Sequence, residues 1–181
     1  TTASEWDEIN GGPVAVDMEG DSNLELVIGC SIYSVDLGVR SDNAGSLTLL
    51  KSRPEYFIRN EYNATSVADY NHDGFLDVLA SGSTEEHGEN TTVFFWDVKN
   101  NTLETYSDPI PGDFTIYACP TQTGDYYKNG WKNGTGRLNI ADLDGDGNLN
   151  VSYVSGKFLY ALDHNMNPMP WSPKVVNEET S

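Results

Sequence analysis

Basic side chains are scarce in this chain. Ten Lys and Arg stand against 28 Asp and Glu, for a formal net charge of −18 over 181 residues. Such a surface repels polyanions, so nucleic acid and anionic membrane are not expected partners. No apolar run approaches the ~20 residues of a membrane-spanning helix. No basic start followed by an apolar core marks a signal peptide, so the sequence is expected to be a processed chain or an excerpt of a longer one. Helical periodicity is also missing, because apolar residues nowhere recur at i, i+3, i+4 and i+7 over a helix-length window. Cysteine is limited to Cys30 and Cys119, which allow either one disulfide or two thiols. Nucleophile elbows, zinc-protease helices and phosphate loops are absent. The three histidines, His72, His87 and His164, all lie in polar turn sequences.

Short β-rich runs bounded by Gly, Asn, Asp and Ser fill the chain instead. The reading is all-β. Strands are expected at Pro13 to Val16, Leu24 to Gly29 and Ser46 to Lys51 in a first unit, with a weaker one at Tyr56 to Arg59. A second unit holds Thr65 to Ala68, Leu76 to Ala80, Thr92 to Val98 and Leu103 to Tyr106. A third holds Arg137 to Ala141, Leu149 to Val154 and Lys157 to Leu162, with its end cut short after Trp171.

Each unit contains one acidic loop of common grammar: DMEGDSNLE from Asp17, DYNHDGFLD from Asp69 and DLDGDGNLN from Asp142. The starts are 52 and 73 residues apart, and the longer gap holds an insertion at about 109–136. The chain therefore reads as one region of three repeats, at about 11–62, 63–108 and 135–181. Four short strands repeated on this scale match the blade of a β-propeller. A β-sandwich with metal loops fits three matching loops less well, and three independent domains would each be too small for a core.

Oxygen-bearing side chains stand at loop positions 1, 3, 5 and 9, with a small or flexible residue at position 6. One tight turn of this kind points several oxygens at one hard cation. Calcium takes six to eight such ligands in flexible geometry, whereas the lack of nitrogen and sulfur argues against zinc or copper. The assigned ligands are Asp17, Glu19, Asp21 and Glu25 with the Asn23 carbonyl in the first loop, and Asp69, Asn71, Asp73 and Asp77 with the Phe75 carbonyl in the second. In the third they are Asp142, Asp144, Asp146 and Asn150 with the Asn148 carbonyl. Position 12 is Ile28, Ala80 or Tyr153, never the bidentate Glu of a helix–loop–helix site. The motif is thus a calcium turn between two strands. The second loop is the best formed. The first lacks Gly at position 6, and the third carries a neutral Asn at position 9.

The segments VADYNHDGFLDVLASG and IADLDGDGNLNVSYVSG, with VAVDMEGDSNLELVIGC as a looser copy, resemble the FG-GAP or VCBS repeat. That repeat is the blade of integrin-α-like propellers, and LYALDHNMNPMPW is similar to its third strand and turn. The resemblance implies blades of four-stranded antiparallel sheets, structural Ca2+, and an extracellular or cell-surface location. Three blades do not close a ring, so it also implies further blades from the same or another chain.

The expected function is adhesion or binding of an extracellular protein or glycan, without chemistry. Tyr126, Tyr127 and Trp131 in the insertion are the candidate ligand-binding residues, since exposed loop aromatics stack on sugars or pack on partners. The alternative is part of a secreted polysaccharide-degrading enzyme of lyase type, which would need a base in a cleft and cations to hold an acidic sugar. Sequons at Asn63, Asn90, Asn100, Asn133 and Asn150 fit a secreted surface. A sugar on Asn150 would exclude its role as a ligand.

Overall fold

A computed structural model describes residues 12–38, 45–53, 62–83, 91–106, 136–155 and 158–176. Their regular structure is all strand: β1 Val14–Val16, β2 Glu25–Ile28, β3 Ser31–Asp36, β4 Ser46–Ser52, β5 Tyr62–Ala68, β6 Asp77–Ser83, β7 Thr91–Asp97, β8 Thr102–Tyr106, β9 Asn139–Ala141, β10 Asn150–Ser155, β11 Phe158–Leu162 and β12 Lys174–Val175. They form three four-stranded antiparallel sheets in which sequence neighbours are spatial neighbours: β1 to β4, β5 to β8 and β9 to β12. No helix of the described residues is long and apolar enough to cross a membrane.

Two strand assignments change. Ser46–Ser52 is the fourth strand of the first sheet, not the third. The third is Ser31–Asp36, which sequence reading passed over because only Gly29 and Cys30 separate it from β2, with Gly29 turning at φ 53°. The third sheet is not cut short after Trp171, because Lys174–Val175 pairs with Phe158 and Leu159 as its fourth strand. The proposed strand at Tyr56 to Arg59 lies outside the described residues.

The sheets pack face to face, with the middle one covered on both sides. Strand alternation sends Val78, Ala80, Phe94 and Trp96 toward Val27, Cys30 and Ile32 of the first sheet. The intervening Leu79, Val93 and Phe95 pack against Val151, Tyr153, Tyr160 and Leu162 of the third. The run from Thr92 to Asp97 is buried throughout, which is why Val93 to Trp96 within it reads as a continuous apolar stretch. Full burial of each large apolar side chain here stabilises by about 1.5–3 kcal/mol. Cys119 lies outside the described residues.

Polar bonds stitch the sheets together near their first strands. The Gly29 amide donates to Thr65 Oγ1 at 2.7 Å, and Ser66 Oγ donates to the Leu138 carbonyl at 2.6 Å. Farther out, Lys51 donates to the Val98 carbonyl and Arg53 to the Asn101 carbonyl. In such a meander the first and third connections lie at the same end of the sheet. The acidic loop of the second sheet therefore shares its end with the β7–β8 turn.

Candidate metal centre

Each acidic loop joins the first two strands of its sheet, as the strand–loop–strand reading requires. The first-position aspartate organises the turn by accepting backbone amides on both oxygens. Asp69 takes Asp73 N–H at 2.9 Å and Gly74 N–H at 3.0 Å. Asp142 takes Gly145 at 2.7 Å and Gly147 at 3.0 Å. Asp17 takes Gly20 at 2.6 Å, Asp21 at 3.0 Å and Ser22 at 2.8 Å. At position 3, Asn71 Oδ1 accepts from the Asp73 amide at 3.1 Å.

Two residues of each loop turn through the left-handed region. Position 6 does so at Ser22 (φ 73°), Gly74 (85°) and Gly147 (90°), matching the flexibility read there. Position 4 does so too, at Gly20 (73°), His72 (59°) and Gly145 (79°). Sequence reading missed this second requirement, although glycine in two of the three loops was its signal.

The ninth residue closes each loop from below. Its side chain accepts the amide of position 2: Met18 to Glu25 Oε2 at 2.8 Å, Tyr70 to Asp77 Oδ2 at 3.1 Å and Leu143 to Asn150 Oδ1 at 2.6 Å. All three side chains are buried, with Asp77 and Asn150 at 0% exposure. The remaining atom differs in kind. Asp77 keeps a buried Oδ1 and Asn150 a buried Nδ2, each without a hydrogen-bond partner.

Burial pushes the Asp77 carboxyl up to about 6, with the neighbouring Asp97 adding to the rise and the amides of Tyr70, Val98 and Asn71 opposing it. Asp21 and Asp146 shift the other way. The amides of Asn23 and Asn148, followed by their side-chain NH2 groups, hold these carboxyls below the usual range.

Asp142, Asp144 and Asp146 bring carboxylate oxygens within 4.8 Å of one another and could hold a metal ion. Among the described residues no other three His, Cys, Asp or Glu side chains converge as tightly. The second loop instead places a cation on one of its acids, with Lys99 Nζ 3.2 Å from Asp73 Oδ2. The donor set is all oxygen apart from Asn150 Nδ2, and an unpartnered buried carboxylate oxygen fits a hard cation in the second loop. Tyr126, Tyr127 and Trp131 lie outside the described residues. Comparison with family models, curated proteins and solved structures returned no match.

Proposed function

We propose that this chain is an extracellular or cell-surface calcium-binding module of FG-GAP or VCBS type, whose three sheets are blades of a β-propeller and which binds a protein or glycan ligand. The observation that carries the calcium reading is Asp77 Oδ1. A carboxylate oxygen at 0% exposure with no partner costs free energy until a cation meets it. The rest of the second loop is already folded by backbone amides, with Tyr70 donating to Asp77, and Asp73 and Gly74 donating to Asp69.

Asp69, Asn71, Asp73 and Asp77 would hold the ion in the second loop. Asp142, Asp144 and Asp146 would hold it in the third, and Asp17, Glu19, Asp21 and Glu25 in the first. Bound calcium would neutralise carboxylates that otherwise repel, and would add stability in proportion to its concentration over Kd. Its role is to fix the hairpin between the first two strands of each sheet, leaving ligand binding to other surfaces.

Exposed apolar residues support additional blades. Ala15, Leu26, Tyr33 and Leu49 form one cross-strand row on the first sheet, facing away from the second, and Leu49 is 52% exposed. On the middle sheet both faces are covered by a neighbouring sheet. The same kind of cover, from this or another chain, would complete the first.

Calorimetric calcium titration with thermal melting in calcium and in chelator tests the proposal. About three bound ions and a large rise in Tm are expected. Absence of both would overturn the calcium reading. Calcium-dependent cleavage of a uronate-containing polysaccharide would instead establish the lyase alternative.

A further inference from the structure

The aspartate at position 5 is fastened identically in the first and third loops. Asp21 Oδ1 accepts the Asn23 amide at 2.8 Å, and Oδ2 accepts Asn23 Nδ2 at 2.9 Å. Asp146 does the same with Asn148, at 2.8 and 3.1 Å. In the second loop position 7 is Phe75. Its amide keeps the first bond, to Asp73 Oδ1 at 2.9 Å, but its ring has no donor for the second. Asp73 Oδ2 meets Lys99 Nζ instead, at 3.2 Å. The same ammonium sits 4.2 Å from the centroid of the Phe75 ring.

We infer that Lys99 is a positioning residue for the cation site of the second loop, taking over from the β7–β8 turn the clamp that Asn supplies locally in the other two, with the Phe75 ring as its platform. This rests on the calcium reading of that loop, which Asp77 Oδ1 supports independently of the clamp. A carboxylate held at both oxygens cannot swing away from its ligating orientation, so an ion meets a preset group. The ammonium also repels a divalent ion. That repulsion is screened at this turn, where the Lys99 side chain is 41% exposed. Loss of an orienting partner behind a ligand typically costs tenfold or more in metal affinity. The two exchanges are coupled, because Lys99 is required only where position 7 lacks an amide side chain.

A double-mutant cycle over Lys99→Met and Phe75→Asn tests this in the full chain. Calcium is titrated while the Gly74 amide resonance is followed, with the Gly20 and Gly147 resonances reporting the other loops. Lys99→Met alone is expected to weaken calcium at the second loop about tenfold, and to leave the other two unchanged. In the Phe75→Asn background the same substitution is expected to cause no loss. Equal effects in both backgrounds, or tighter binding by Lys99→Met alone, would overturn the clamp.

A metal-free readout separates this from the calcium reading itself. In chelator, the Asp73 side-chain rotamer, read from its three-bond couplings, is expected to become averaged on Lys99→Met with Phe75 present and to stay fixed with Asn there. No calcium binding in any variant would overturn both the calcium reading and the metal-positioning role. The Asp73 couplings would then show whether the clamp persists as a purely structural contact.

Discussion

The Tyr70 amide donates to one carboxylate oxygen of Asp77 at 3.1 Å, while the other oxygen of that carboxylate is buried without a partner. One half of the group is satisfied by the loop it closes, and the other half waits for a proton or a cation. Burial of the group pushes its pKa up to about 6.

A pH dependence follows for the metal-free protein. The folded-state value lies above the ordinary carboxylate value, so between about pH 4 and 6 the folded chain binds more protons than the unfolded one. The stability this group contributes is present below pH 4 and is lost as pH rises through 6. The loss is on the order of 2–3 kcal/mol. Melting in chelator should show the Asp77 contribution falling from pH 5 to 7, and Asp77→Asn should remove it. Saturating calcium should reverse the trend, because the ion competes with the proton.

Ser22 holds a φ of 73° that L side chains adopt at a cost. Ser22→Gly is expected to stabilise by up to about 1 kcal/mol, set against the entropy that glycine adds to the unfolded chain. Gly74→Ala and Gly147→Ala should destabilise by a similar amount. An added Cβ at either meets nothing within 4 Å, so that cost is purely conformational. Urea denaturation at fixed calcium measures all three.

Asn150 presents a buried NH2 where the second loop presents carboxylate oxygen. Asn150→Asp is therefore expected to act in opposite directions with and without metal. In calcium it should tighten the third loop about tenfold by adding a charged oxygen ligand. In chelator it should destabilise the fold by about 1–3 kcal/mol, through a buried unpaired carboxylate. Paired melts and calcium titrations read both arms.

Thr65 joins the first two sheets through its hydroxyl, which accepts the buried Gly29 amide at 2.7 Å. Thr65→Val keeps the shape and removes the acceptor, leaving that amide unpaired at a cost of about 1–3 kcal/mol. Faster hydrogen exchange at Gly29, alongside lower stability in urea, would locate the loss at this seam.

The strand–loop–strand units were legible because their signals are local. Asp17, Asp69 and Asp142 each bond amides only three to five residues ahead, so the spacing of oxygens and glycines records the turn directly. The third strand of the first sheet was obscured for the opposite reason. A two-residue connection leaves no cluster of turn residues between ELVI and SIYSVD. Lys99 was not legible as a partner of Asp73, since only the meander brings a turn 26 residues away back to the loop. The different ends of Asp77 and Asn150 could be read as charge, but not as a buried acceptor and a buried donor facing the same place. That distinction depends on the position-2 amide choosing the other atom.

The strictly sequential order of the sheets bears on synthesis. Each strand pairs with one made just before it, so each hairpin can form without waiting for distant chain. Packing between sheets is not local in this way, and the middle sheet shows it. Once Thr102–Tyr106 has emerged its own pairing is complete, yet Leu79, Val93 and Phe95 still lack the Val151, Tyr153, Tyr160 and Leu162 that will cover them. Translation through the residues between β8 and β10 is thus the interval in which a nascent chain shows a sticky flat face. A pause in that stretch would expose it to other nascent chains, and chaperone capture would concentrate there.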